Sequence, residues 1–201
     1  LRHELRGVEV LALGLDHGLR AEAASELEFA AELAQRLGVP FYQQRLRVSL
    51  LGNLLENARL ARYEALRRFA KEHGCSRIAV GHTATDQTET ILLHLLRGAS
   101  LEGSRGMPLR RGPLIRPLLD CARTEILQYL AERQISHAED PSNTNKRYRR
   151  VRLRQEVLPV LRELNPRFEQ AFRRFSQSQA RDTQLLQQLA DKEFQKRRGR
   201  S

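Results

Sequence analysis

Arg77-Ile78-Ala79-Val80-Gly81-His82-Thr83-Ala84-Thr85-Asp86-Gln87-Thr88-Glu89-Thr90 decides the reading of this chain. A short apolar run, Arg77 to Val80, passes through a polar turn into a strongly apolar helix at Ile91 to Leu96. Glycine, histidine and small polar residues at a strand-to-helix turn predict free backbone N–H groups at the helix start, where anions and nucleotides bind. Asp86 and Glu89 lie three apart, so their carboxylates share one helical face. His82 lies one turn before Asp86. The competing structural reading is a capping box, Thr83 answered by Asp86, with both acids complementing the helix dipole.

Outward from this stretch the pattern repeats. Val8 to Leu15 is an apolar run ended by Asp16-His17-Gly18 and reads as a buried parallel strand. Ala21 to Leu37 has helical spacing and ends at Gly38 and Pro40. Phe41 to Val48 reads as a second strand, Asn57 to His73 as a helix closed by Gly74, and Arg77 to Val80 as the third strand. This order predicts an α/β doubly wound parallel sheet with ligands at the carboxyl ends of its strands. Beyond Gly98, Ala99 to Gly112 reads as a loop over the site and Pro113 to Leu118 as an extended segment. Asp120 is expected to cap a helix through Leu130, with Ile126, Leu127 and Leu130 inward. From Arg149 the chain reads as helical, broken at Asn165-Pro166.

Charge divides the chain. Residues 142–201 carry 16 Lys/Arg against 6 Asp/Glu, whereas residues 1–141 carry 19 against 18, within an overall net charge of +11. A near-neutral domain, 1–141, followed by a basic helical arm, 142–201, points to a polyanionic partner, with nucleic acid ahead of a membrane surface. No stretch reaches the roughly 18 apolar residues of a membrane span. The N-terminus does not read as a signal peptide. Cys75 and Cys121 suggest neither a disulfide framework nor a metal knuckle. A cytoplasmic protein is expected.

Several charged residues have both a chemical and a plain reading. Arg59 and Arg62 sit near a helix start, where cations are slightly unfavourable; this hints at an anion, although Glu56 can pair with either. Arg147, Arg149, Arg150, Arg152 and Arg154 form the densest basic run. On a helix, Arg150, Arg152 and Arg154 point in opposing directions, so some must face the domain and others solvent.

Together these segments resemble the bacterial tRNA(Ile)-lysidine synthetases of the PP-loop ATP pyrophosphatase superfamily (adenine nucleotide alpha hydrolase-like fold). The matching pieces are Asp16-His17-Gly18-Leu19-Arg20, Asn57-Ala58-Arg59-Leu60-Ala61-Arg62-Tyr63, Gly81 to Thr90, and Leu95-Leu96-Arg97-Gly98. Arg116-Pro117-Leu118-Leu119, Asp140-Pro141-Ser142-Asn143, and Arg152-Leu153-Arg154 with Leu158-Pro159 complete the series. The resemblance implies adenylation of a wobble cytidine of tRNA(Ile), which bears a CAU anticodon, by ATP, and displacement of AMP by free lysine. It makes Asp86, Glu89 and Arg62 catalytic residues and places Asp16, His17, Gly81, His82 and Arg154 around the nucleotide. It gives tRNA contacts to Arg147, Arg149, Arg150 and Arg152, assigns Mg²⁺ to Asp86, and allows for a homodimer.

Two departures matter. Thr85 stands where the family often has a second aspartate. The family's Ser-Gly-Gly-x-Asp-Ser phosphate loop has no counterpart in these residues, so a fragment, a misassigned start or an inactive relative is expected. A tRNA thiolase, which needs sulfur-carrying or cluster-binding cysteines, is one rival; a non-catalytic basic RNA-binding module is the other. On this reading the 201 residues alone bind ATP weakly and catalyse no ATP–pyrophosphate exchange, because the N–H cradle for the polyphosphate is missing. Robust isotope exchange by this chain would refute that expectation.

Overall fold

The computed structural model describes residues 7–18, 23–137 and 148–198. The chain forms two compact units, Leu1–Ile78 and Ala79–Ser201.

In the first unit, β1 (Ala12–Asp16) is followed by α1 (Ala23–Arg36), β2 (Phe41–Arg45) and α2 (Leu54–Glu72). β1 and β2 pair in parallel, in register from Ala12 with Phe41 to Asp16 with Arg45. A parallel pair needs a crossover, which α1 supplies. Gly14 explains how closely α1 covers β1: a Cβ there would run into Leu27 of α1 and would lie 2.7 Å from Phe41 Cζ.

Both strands are shorter than their apolar runs suggest. Val8 and Val10 precede β1 and are exposed (51% and 39%), because ladder pairing begins only at Ala12. α2 begins three residues earlier than its periodicity implies. Asn53 caps it, accepting from the Glu56 N–H at 3.3 Å. Asn57, taken as the helix start, instead donates its amide to the Ser49 and Leu51 carbonyls (2.9 and 2.7 Å) and holds the preceding loop. The core of this unit is rich in alanine: Ala34, Ala58, Ala65 and Ala70 are buried with Leu46 and Ile78.

β3 (Ile78–Ala79) joins β5 (Leu114–Ile115) and β4 (Arg110–Arg111) in a three-stranded sheet of order β3-β5-β4. β4 and β5 form an antiparallel hairpin, so the segment after Gly98 is not all loop. It also contains a short helix, α4 (Leu101–Ser104). α3 (Ala84–Leu95) packs on α4 and on α8 (Phe168–Arg198). Ile91 of α3 and Leu158 are fully enclosed, with Leu119, Leu153 and Phe168 around the same core.

α5 (Arg123–Glu132) does not start at Asp120. The Glu125 carboxylate reaches back to accept the N–H of Ala122, the residue before the helix (2.6 Å), and no side chain caps the first turn. Ile126, Leu127 and Leu130 form its inner face but are only half-buried. α6 (Arg149–Arg152) runs through a π turn, Leu153–Val157, into α7 (Leu158–Leu164), and Asn165-Pro166 breaks the chain before α8, as the sequence suggests. The segment from 148 onward thus shares a core with α3.

The tight approach at Gly14 is testable. Gly14→Val should cost about 1–3 kcal/mol through overpacking, read as a lowered urea midpoint with unchanged m-value.

Candidate active site

The site is built on α3. Thr83 caps the helix: its N–H and Oγ–H both donate to Asp86 Oδ2 (2.9 Å each), and the Asp86 N–H donates to Thr83 Oγ1 at 3.4 Å. The Ala84 N–H donates to the Cys121 carbonyl at 3.0 Å. The expectation of open N–H groups at this helix start is therefore corrected at Thr83, Ala84 and Asp86. A reciprocal capping box and the 121 carbonyl satisfy them internally.

Glu89 is fully buried, and two arginines hold its carboxylate. Arg154 Nε lies 2.6 Å from Oε1 and its Nη2 lies 3.2 Å from Oε2; Arg150 Nε lies 3.0 Å from Oε2. Arg150 Nη2 also reaches Thr90 Oγ1 (2.9 Å) and the Asp86 carbonyl (3.4 Å). Arg154 Nη2 lies 3.6 Å from Asp86 Oδ1. Two carboxylates and two guanidiniums thus form a charge-balanced cluster within the second unit. Burial works against the Arg154 charge, but the hydrogen bond to Glu89 and the negative charges of Glu89 and Asp86 outweigh it. Its pKa therefore rises above the ordinary arginine value.

The arginine run divides as its helical spacing suggests. Arg150 and Arg154 turn inward to α3. Arg149 is exposed, and Arg152 is exposed beside Glu156 at 3.2 Å. Arg154 falls on the π turn, a distortion found often at functional positions. Arg147, Arg20 and Asp140-Pro141-Ser142-Asn143 lie outside the described residues.

The remaining site residues are placed as follows. Gly81 is exposed, and a Cβ there would meet nothing within 4 Å; His82 is half-buried. In the first unit, Asp16 Oδ1 accepts the Gly18 N–H at 2.7 Å, and its Oδ2 lies 3.9 Å from Arg45 Nε. His17 is half-buried beside it. Glu56 pairs with Arg59 at 3.7 Å rather than with Arg62. The Arg62 guanidinium lies 5.4 Å from the Tyr63 ring centroid, and its buried Nε has no hydrogen-bond partner.

The sequence reading passed over several residues of α3. Thr85, Gln87 and Thr88 are buried along with Glu89. Thr85 donates to Glu169 Oε1 (2.9 Å), which Arg162 also holds at 3.1 Å. The Gln87 amide pairs with the Met107 backbone in both directions: it accepts from the N–H at 2.7 Å and donates to the carbonyl at 2.9 Å. It also donates to Ser176 Oγ at 3.1 Å. Gly106, at φ +67°, leaves room for this, since a Cβ there would lie 2.7 Å from Gln87 Oε1. The one available clue was a polar run leading straight into an apolar helix with no turn residue between.

These residues do not build a cage for Mg²⁺. Asp86 has one oxygen in the capping box and the other beside a guanidinium. No group of three or more His, Cys, Asp or Glu side chains converges among the described residues.

A mixed α/β chain with a polar helix start after a strand and a buried Asp/Glu/Arg cluster defines the class. The chain belongs to the PP-loop domain family, whose profile matches residues 1–161. Several of its relatives are named tRNA(Ile)-lysidine synthase. It is 40% identical over 166 residues to the tRNA(Ile)-lysidine synthase of Solibacter usitatus, covering 81% of this chain and 38% of that one. It is 38% identical to the enzyme of that name from Geobacillus kaustophilus (94% and 43% covered) and 37% identical to that of Thermus thermophilus (92% and 37% covered). The chain thus spans about two-fifths of the length of these relatives. Among solved structures it is similar to the U34-tRNA thiolase NcsA from Methanococcus maripaludis, with a TM-score of 0.70 and 15% identity, covering 85% of this chain and 62% of that one. That likeness establishes a shared fold. Cys75 and Cys121 are free thiols, one in each unit.

Removing one partner from a buried ion pair exposes its cost. Arg154→Ala should destabilise the protein by about 3 kcal/mol, since Glu89 stays buried with half its partners gone. Arg150→Ala should cost less, because its guanidinium is 44% exposed and Arg154 remains. Urea unfolding of the two variants reads the difference, and equal losses would contradict the assignment.

Proposed function

We propose that this chain carries catalytic residues of a tRNA(Ile)-lysidine synthase. The supporting observation is that relatives of this name align over 81–94% of the chain, across the cluster of Asp86, Glu89, Arg150 and Arg154. In this reaction the C2 oxygen of the wobble cytidine attacks the α-phosphorus of ATP, and the bond to pyrophosphate breaks. The ε-amine of lysine then attacks C2, the C2–O bond breaks, and AMP leaves. Adenylation is needed because a ring carbonyl oxygen is a poor leaving group.

The geometry suggests different tasks for the two acids. Glu89 is fully committed to two guanidiniums and acts as a positioning residue. Asp86 has one oxygen outside the capping box and is 23% exposed; it orients the lysine ammonium and accepts the proton the amine must lose. Arg62, whose Nε has no internal partner, neutralises phosphate charge developing in the transition state. Within the second unit Gly81 and His82 contact the nucleotide, with Arg154 fixed behind Asp86; Asp16 and His17, in the first unit, are assigned to nucleotide binding by the family resemblance alone. Arg149 and Arg152, on the outer face of the basic segment, and Arg147 contact the tRNA, with Arg150 partly committed to Glu89. ATP, free lysine and tRNA(Ile) are the substrates. Mg²⁺, if used, is held chiefly by phosphate and water oxygens, as that ion commonly is. The setting is cytoplasmic; among the described residues no helix is long and apolar enough to cross a membrane.

The test is ATP-dependent incorporation of radiolabelled lysine into tRNA(Ile) with a CAU anticodon, using the polypeptide of the complete reading frame. Asp86→Asn should lower kcat by roughly 10²–10⁴ with little change in tRNA affinity, the range for loss of a general base. An Asp86→Asn enzyme with full activity would remove Asp86 from the chemistry. RNA binding without any lysine incorporation would favour a non-catalytic RNA-binding protein.

A further inference from the structure

The second unit contains a cavity of ≈ 880 Å³ between the 100–112 segment and α8. That is near the upper end of the roughly 300–1,000 Å³ usual for ligand pockets. Gln87 and Ser176, hydrogen-bonded to each other, line it, so the cavity reaches the residue next to Asp86 on α3. Arg110, Arg111 and Arg173 also line it, and all three are exposed. Arg105, a fourth arginine of the wall, is already paired with Glu102 at 3.2 Å. Among the described residues the other three form no ion pair. Arg110 donates only to the Gly112 carbonyl, at 3.3 Å. Asp120, the other acid in the wall, leaves a clear excess of positive charge.

The wall also indicates the kind of anion. A nucleoside triphosphate is usually cradled by backbone N–H groups that glycines present to the phosphates. The glycines here serve the protein instead. A Cβ on Gly103 would lie 2.7 Å from Ala99 Cβ, and one on Gly106 would lie 2.7 Å from Gln87 Oε1. The Met107 N–H is already given to Gln87. What remains for a ligand is the exposed guanidiniums of Arg110, Arg111 and Arg173, with the exposed side chain of Leu109 in the same wall. Spaced forks suit successive phosphodiesters, and apolar wall suits an unstacked base.

We infer that this cavity seats a single-stranded stretch of the RNA substrate, with its phosphates on Arg110, Arg111 and Arg173. The inference rests on the tRNA reading given above. It adds a second contact surface to the outer face of the basic segment.

The experiment is anisotropy of a labelled anticodon stem-loop RNA bound by the full chain, titrated with salt. The triple variant Arg110→Ala, Arg111→Ala, Arg173→Ala should bind at least about tenfold more weakly. Its slope of log affinity against log salt should fall by about 2–3, since each lost phosphate contact removes about 0.7–0.9. A control with the same charge removed at the end of α8, Lys192→Ala, Lys196→Ala, Arg198→Ala, should bind nearly as the unaltered chain does. Equal losses in both variants, or none in the first while the unaltered chain binds, would overturn the cavity assignment and leave the tRNA reading standing. Failure of the unaltered chain to bind the RNA would overturn the tRNA reading, and the cavity assignment with it.

Discussion

One buried carboxylate organises the second unit. Glu89 has no solvent to stabilise its charge, so Arg150 and Arg154 must supply that stabilisation. A carboxylate at zero exposure tolerates little misplacement of its partners, because an unpaired buried charge costs far more than an imperfect surface contact. Glu89 therefore sets the register of the segment from Arg149 onward against α3. The π turn at Leu153–Val157 is part of that fit, since it carries Arg154 to the carboxylate.

This arrangement divides labour between neighbours that look equivalent. Asp86 and Glu89 share a helical face, but their surroundings differ. Glu89 spends both oxygens on arginines. Asp86 spends one on the cap of its own helix and keeps the other near Arg154. Here the cap holds one end of Asp86 while the Glu89 pair holds the guanidinium behind it. The same helix is tied to two other parts of the unit, by Thr85 to Glu169 and by Gln87 to Met107 and Ser176. A polar helix start can lie this deep because each of these groups has a partner.

Arginine serves two ends in this protein, and only packing separates them. Arg150 and Arg154 neutralise an internal charge and add little to the outer potential. Arg149, Arg110, Arg111 and Arg173 are exposed and form no ion pair among the described residues. The large excess of Lys and Arg after residue 142 therefore overstates the cations free for a ligand.

The amino-acid sequence by itself settled the order of strands and helices through β3 and α3 and the break at Asn165-Pro166, and it offered the capping box at Thr83 and Asp86 as one of two readings. All of these depend on residues within a few positions of one another. Hydrophobic period, turn residues and caps are local, so they can be read along the chain. The start of α5 is local too: Glu125, three residues past Ala122, accepts the Ala122 N–H, although the sequence pointed to Asp120. Tertiary structure decided the rest. It alone showed that both Glu89 oxygens are taken by arginines, since these partners lie 61 and 65 residues away. And it alone showed that Gln87 joins three segments, because a buried amide acquires a role only when folding brings distant backbone within hydrogen-bond reach.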